Sequence, residues 1–192
     1  MNMAKIGLLG GTFDPPHIGH LIIADQVLQR MSLDEIRFMP NFLPPHKPLT
    51  SGASAEDRLE MIRLAIQGHP NFKIEPIELE REEPSYTYDT MVLLKKREPE
   101  NEFFFIIGAD MVEYLPHWHR IDELVRLVQF IGVNRPGSTL KTGYPILITE
   151  VPSIGVSSSE IRAALREGRS VKYLVPDTVL QYIKEKRLYG TR

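Results

Sequence analysis

Apolar residues along this chain come in short runs and staggered sets, separated by stretches rich in glycine, proline and polar side chains. The run Ile6 to Leu9 stops at Gly10-Gly11, and a polar loop continues to His17. From Ile18 the apolar positions Leu21, Ile22, Leu28 and Met31 lie close to one helical face, so the pattern predicts strand, glycine loop, helix. Ile36 to Met39 predicts a second short strand. It is ended by PNFLPPHKP at Pro40 to Pro48, where each proline opposes helix at its own position and at the residue before it. Ser54 and Asp57 have the spacing of a capping box, and Leu59, Ile62, Leu64 and Ile66 carry a helix to about Gly68. Phe72 to Leu79 sets Phe72, Ile74, Ile77 and Leu79 against Lys73, Glu75 and Glu78, which predicts a strand with one wet face.

SYTYDT then opens a helix running through Met91 to Glu98, and EFFFIIG, Glu102 to Gly108, has the unbroken apolar character of a central strand covered on both faces. A short acidic helix at Ile121 to Leu127, a strand at Phe130 to Val133, the turn-rich loop PGSTLKTGYP and a strand at Ile146 to Val151 follow. Ser157 with Glu160 is a second capping box, opening a helix to about Gly168. Pro176 starts the last helix at its first position, with Leu180 and Ile183 inward and Gly190 near its end. Strands alternating with helices predict an α/β fold, a doubly wound, mainly parallel sheet with helices on both faces, in a single domain spanning residues 1–192.

Composition narrows the chemistry. Lys and Arg number 23 against 25 Asp and Glu, a net charge of −2, so the broad basic excess of nucleic-acid binders is absent. With no cysteine at all, disulfides, Cys-ligated zinc, iron–sulfur clusters and thiol catalysis are excluded together. The opening MNMAKIGLLGG lacks the long apolar centre of a signal peptide, and no stretch reaches the roughly 18 apolar residues of a membrane span. A cytoplasmic protein acting on small molecules is expected, with no nucleic-acid or membrane partner; assembly as a homo-oligomer is left open.

Ligands of doubly wound sheets sit beyond the carboxyl ends of the strands. The segments Gly10 to His20, Gly108 to Asp110 and Val156 to Arg162 occupy such places and are expected to converge. In GGTFDPPHIGH, Gly10 and Gly11 permit a sharp turn close to a ligand, and the helix start offers N–H groups to an anion. His17 and His20, three apart, share a helical face and can donate hydrogen bonds to phosphate oxygens. The same pair would also serve as a helix cap with its neighbour, or as two ligands of a metal whose third ligand is not evident nearby. VSSSEIR places hydroxyls and N–H groups at a helix start, with Arg162 a turn further on and able to reach the same anion, an arrangement suited to a triphosphate. Asp110 is placed to meet a ribose hydroxyl, to approach a metal-bound phosphate, or simply to cap a helix. Lys47 on its proline-rich loop suits a phosphate, Thr87 suits a helix cap, and Trp118 suits either stacking on a flat heterocycle or packing. Tyr86 and Tyr88 read as packing residues.

With these residues in hand, GGTFDPPHIGH resembles the first signature of the HxGH nucleotidyltransferase superfamily and VSSSEIR its second. PPHK, SYTYDT, GADM, LPHWH and the turn Arg135 to Gly137, in that order, are similar to the bacterial nicotinate-nucleotide adenylyltransferase family over nearly the whole chain. The resemblance implies transfer of AMP from ATP to nicotinate mononucleotide, giving deamido-NAD and pyrophosphate in NAD biosynthesis, by in-line attack with Mg²⁺ required and its ligands unassigned. It implies that His17, His20 and Arg162 are catalytic and that Gly10, Gly11, Gly108, Asp110, Ser157 and Ser158 join them in binding ATP. Thr12, Lys47, Thr87, Trp118 and His119 would address the mononucleotide; His119 stands where the family often has an aromatic residue. HIGH at His17 to His20 also occurs in class I aminoacyl-tRNA synthetases, but their second motif KMSKS is missing and 192 residues leave no room for tRNA-binding domains. Adenylyl transfer to another phosphomonoester, such as nicotinamide mononucleotide or phosphopantetheine, and a non-catalytic nucleotide sensor are the other readings.

Overall fold

A computed structural model describes residues 3–42, 53–81, 86–134 and 140–191. Its centre is a six-stranded parallel sheet in the order β3-β2-β1-β4-β5-β6, made of β1 (Lys5–Gly11), β2 (Glu35–Pro40), β3 (Phe72–Ile74), β4 (Glu102–Gly108), β5 (Gln129–Asn134) and β6 (Ile146–Glu150). The helices are α1 (Ile18–Arg30), α2 (Ala55–Ile66), α3 (Ile77–Arg81), α4 (Thr87–Arg97), α5 (Ala109–Tyr114), α6 (Ile121–Leu127), α7 (Ser158–Arg166) and α8 (Asp177–Glu185). None of the described helices is long and apolar enough to cross a membrane.

The central strand shows why the sheet needs two covered faces. Successive side chains of a strand point to opposite sides, so Phe103, Phe105 and Ile107 enter one apolar cluster with Met91, Leu94 and Leu124, while Phe104 and Ile106 enter another with Ala24, Val27 and Ile62. A third cluster joins α2, α7 and α8 through Met61, Ile161, Val179, Ile183 and Tyr189. Gly7 of β1 lies where a Cβ would stand 2.5 Å from the Ile36 side chain, so glycine there lets adjacent strands be roofed without a clash.

The capping box at Ser54 forms as the spacing requires, while at Ser157 only half of one forms, the Glu160 carboxylate taking the Ser157 hydroxyl instead of its N–H. Ser54 Oγ accepts from Asp57 N–H at 3.0 Å and its own N–H donates back to the Asp57 carboxylate; Ser157 Oγ accepts from Glu160 N–H at 3.2 Å. Three expectations need correction. The strand expected at Phe72 to Leu79 is only three residues long, because Pro76 has no N–H for a ladder and its carbonyl instead accepts from Leu79 and Glu80, starting α3. Of its supposed wet face only Lys73 is exposed: Glu75 is 2% exposed between Arg37 and Arg97, and Glu78 is 5% exposed and accepts the Thr90 hydroxyl at 2.9 Å. The second correction is α5, a six-residue helix unseen in the pattern, whose N-cap is Gly108, with Asp110 inside its first turn. In α8 the inward residues are Val179 and Ile183, with Leu180 half-buried, and Pro176 is the N-cap rather than the first helical residue.

Parallel strands run to left and right of the β1–β4 pair, so the chain reverses direction across the sheet at that point. The crevice at a switch point lies beyond the strand ends. Here those ends are Gly10-Gly11 and Gly108.

Candidate active site

The first loop is shaped by close backbone packing. A Cβ on Gly10 would stand 3.2 Å from the Phe105 ring, and one on Gly11 3.1 Å from the Phe13 ring. Phe13 itself is in the left-handed region at φ 52° and is buried, and the Asp14–Pro15 bond is cis. The chain then enters α1 with His17 as N-cap. His17 and His20 stack face to face, ring centroids 3.7 Å apart, as their three-residue spacing on one helical face implies. Gly19 between them was not singled out by sequence reasoning, yet a Cβ there would lie 3.0 Å from His17 Nδ1 and 3.1 Å from the Val156 side chain. Glycine at that point lets the second motif press against the imidazole.

His17 N–H donates to His20 Nδ1 at 3.2 Å. A nitrogen that accepts cannot carry the proton, so neutral His20 presents Nε2–H as its donor. Burial lowers the His17 pKa to about 4, and burial followed by the nearby His17 lowers that of His20 to about 3. Both imidazoles are therefore neutral donors at pH 7 in the free protein. Because the unfolded chain binds protons near pH 6.5 and the folded one does not, stability rises with pH through this window and falls on acidification. The carboxylate with the clearest depression, Glu98 beside Arg37, titrates in the folded state near 2, so its contribution is lost only below about pH 4.5, the ordinary range of a carboxylate. We expect a loss on the order of 4 kcal/mol between pH 6.5 and 4.5, about 2 kcal/mol for each histidine, measured by urea denaturation, and about half that loss in His20→Gln. Equal slopes in the two proteins would show that the histidines are not its source.

The second motif docks on the first. Ser158 Oγ donates to the Pro15 carbonyl at 2.9 Å and Arg162 Nη1 donates to the Asp14 carbonyl at 2.7 Å, although the partners are 143 and 148 residues apart in the chain. Arg162 Nη1 also lies 3.7 Å from the Asp14 carboxylate, and Nη2 donates to Ser159 Oγ at 3.3 Å. The hydroxyl protons of Ser157 and Ser158 are engaged, the former with Glu160, which leaves backbone N–H groups at the start of α7 as the donors for an anion. At α1 the Ile18 N–H is already taken by the Leu174 carbonyl.

Beside this junction a cavity of about 500 Å³ opens at the switch point. Among the sequence-derived candidates it is lined by Gly10, Gly11, Thr87, Gly108, Trp118 and His119. Thr87 is the first residue of α4, whose N-cap is Tyr86, so the capping reading of Thr87 does not hold. Trp118 lines the cavity while its ring meets Phe105 and Phe130 edge-on at 5.8 and 5.9 Å, so packing and ligand contact are not exclusive. His119 lies against Tyr86, ring centroids 4.9 Å apart, and Tyr86 is itself part of the wall, a role the sequence reading did not give it. Glu78 also lines the cavity and was missed because alternation had put it on a wet face. Asp110 is exposed in the first turn of α5, and Thr12 contributes its carbonyl to Arg58 rather than a side chain to the cavity wall. Lys47 and the turn Arg135 to Gly137 lie outside the described residues.

Known proteins are similar to this chain over nearly its whole length. The cytidylyltransferase-like family model matches residues 8–164. A Geobacillus kaustophilus protein named "probable nicotinate-nucleotide adenylyltransferase" is 60% identical, over 99% of this chain and 88% of its own length. The nicotinate-nucleotide adenylyltransferase of Bacillus subtilis is 54% identical, over 97% of this chain and 99% of its own. Among solved structures, the Plasmodium falciparum nicotinic acid mononucleotide adenylyltransferase complexed with NaAD has the same fold, with a TM-score of 0.80 at 23% identity, covering 98% of each chain.

Proposed function

The chain belongs to the cytidylyltransferase-like family and, within it, to the nicotinate-nucleotide adenylyltransferases, and on that premise we propose how its residues carry AMP from ATP to nicotinate mononucleotide, releasing pyrophosphate and forming deamido-NAD. The observation that carries the reading is the docking of Ser158 and Arg162 on the carbonyls of Pro15 and Asp14. It brings a guanidinium and a helix start to the loop that ends in the stacked histidines. A polyphosphate seated there meets neutral N–H donors from His17 and His20 on one side and Arg162 with the α7 amides on the other. Charge arriving on the phosphates raises both imidazole pKa values, so the donors strengthen as the leaving pyrophosphate takes up charge.

The acceptor needs no general base. A phosphate monoester has its second pKa near 6 and is ionised at neutral pH. Alignment for in-line attack on the α-phosphorus and neutralisation of the leaving group suffice, without a covalent intermediate. Gly10, Gly11 and Gly108 give the nucleotide close access to the backbone, with Asp110 at the rim for the ribose. In the cavity Trp118 supplies the face for the pyridine ring, with Thr87 and His119 beside it, and Thr12 and Lys47 serve the mononucleotide phosphate. Mg²⁺, required on this reading, would accompany ATP and offset the charge of its phosphates. A cytoplasmic location accompanies this reading.

Purified protein with ATP, Mg²⁺ and nicotinate mononucleotide, nicotinamide mononucleotide or phosphopantetheine in turn should release pyrophosphate fastest with the first. ATP binding with no release for any acceptor would make the protein a nucleotide sensor instead. Trp118→Ala is expected to raise KM for the mononucleotide about tenfold, through loss of a stacking surface, with KM for ATP unchanged. An equal rise in both constants would remove Trp118 from the acceptor subsite.

A further inference from the structure

The end of the chain returns to the first motif. Beyond α8 a single 3-10 turn, Leu188–Gly190, carries Tyr189 into the interior, where it is 7% exposed and its hydroxyl donates to Asp14 Oδ1. The sulfur of Met61 lies 4.0 Å from the same hydroxyl. Asp14 is 2% exposed, and its environment is completed by two cations: Arg162, on its carbonyl and 3.7 Å from its carboxylate, and Arg58, whose charge also bears on it. The backbone reaches this arrangement through left-handed conformations at Arg187, Tyr189 and Gly190, with φ of 52°, 56° and 78°. For Arg and Tyr such angles are unfavourable and persist only where surrounding contacts over-determine them. Packing of Leu188 and Tyr189 in the third apolar cluster is one such contact, and the bond to Asp14 is the other.

We propose that Tyr189 is a positioning residue of the ATP site: through Asp14 it sets the guanidinium of Arg162 against the loop that carries His17 and His20. This rests on the phosphate role given to Arg162 above. A carboxylate beside Arg162 competes with phosphate for its donors. By occupying one carboxylate oxygen, the Tyr189 hydroxyl draws charge away from the guanidinium side and keeps Asp14 in one orientation. Without it the carboxylate turns toward Arg162 and holds the guanidinium back from the nucleotide. Burial and the bond to Asp14 both push the phenol pKa up, so the hydroxyl stays a donor at every pH of interest.

The test is the Kd for Mg²⁺–ATP in the absence of acceptor, measured by calorimetry for the wild type, Tyr189→Phe, Asp14→Asn and the double variant. Tyr189→Phe removes one oxygen and should keep its far-ultraviolet circular dichroism. Its Kd for ATP is expected to rise about fivefold, less than the full effect of a lost hydrogen bond to a charged group because the bond reaches ATP only through Asp14 and Arg162, with KM for the mononucleotide unchanged. In the Asp14→Asn background the same substitution should have little further effect, since no carboxylate charge remains to be restrained. A lower melting temperature with unchanged Kd for ATP would reduce Tyr189 to a packing residue and overturn the proposal. So would an undiminished effect in the double variant. Should the wild type release no pyrophosphate with any acceptor, the reaction assigned above fails, while the ATP affinities still decide the role of Tyr189.

Discussion

His20→Ala is expected to lower kcat at least about tenfold, on the order of 1.4 kcal/mol of transition-state stabilisation, with KM for ATP changed less and the fold intact by circular dichroism. His20 holds a fixed tautomer, because the His17 N–H occupies Nδ1, and a donor whose orientation is set before the substrate arrives is the kind whose loss is felt in the transition state. In the proposed reaction charge builds on the leaving pyrophosphate as the α-phosphorus is attacked, so a His20 contact there would strengthen along the reaction and its removal would fall on kcat. Steady-state kinetics of the purified variant measure this. A folded variant with unchanged kcat would remove His20 from the chemistry and leave it a helix-start residue.

Arg58→Met is expected to destabilise the protein by about 3 kcal/mol, the range for breaking a buried charged cluster by removing one member. Arg58 is 1% exposed, and its Nη1 donates to the carbonyls of Thr12 at 2.9 Å and Asn41 at 2.8 Å. It thereby ties the ends of β1 and β2 to α2. Methionine fills much of the volume but takes the guanidinium away from the half-buried Thr12 and Asn41 carbonyls and leaves Asp14 with one compensating cation fewer. Chemical denaturation at pH 7 should show a lower midpoint with unchanged m-value, and a melting temperature lower by roughly 6–12 °C. A change below about 0.5 kcal/mol, the usual size for an unremarkable surface site, would mean that the cluster carries no stability.

Sequence periodicity was a good guide wherever one element met one layer. The α6 bounds, Ile121–Leu127, and the β4 bounds, Glu102–Gly108, follow from the pattern, as does the parallel order of alternating strands and helices. It failed at Phe72 to Leu79 because alternation marks sides of a strand without saying what covers them. Arg37 and Arg97 pair with one oxygen of Glu75 from β2 and α4, and Thr90 donates to Glu78 from α4, so charges that looked solvated are interior. It also missed α5, since six residues carry too little periodicity to stand out from a loop.

The chain by itself determined the residue types on which the proposed phosphate site rests: two imidazoles three apart, a serine-led helix start with an arginine one turn on, and glycines at strand ends. Those features are local, and local spacing is what a linear pattern records. Only the tertiary structure decided that the two motifs pack together, that Gly19 leaves space shared by His17 and Val156, and that Arg58 and Tyr189 meet the same loop. Each of these depends on residues far apart in the chain meeting in an interior where every buried polar group needs a partner, and such partners are chosen by packing rather than by sequence neighbours.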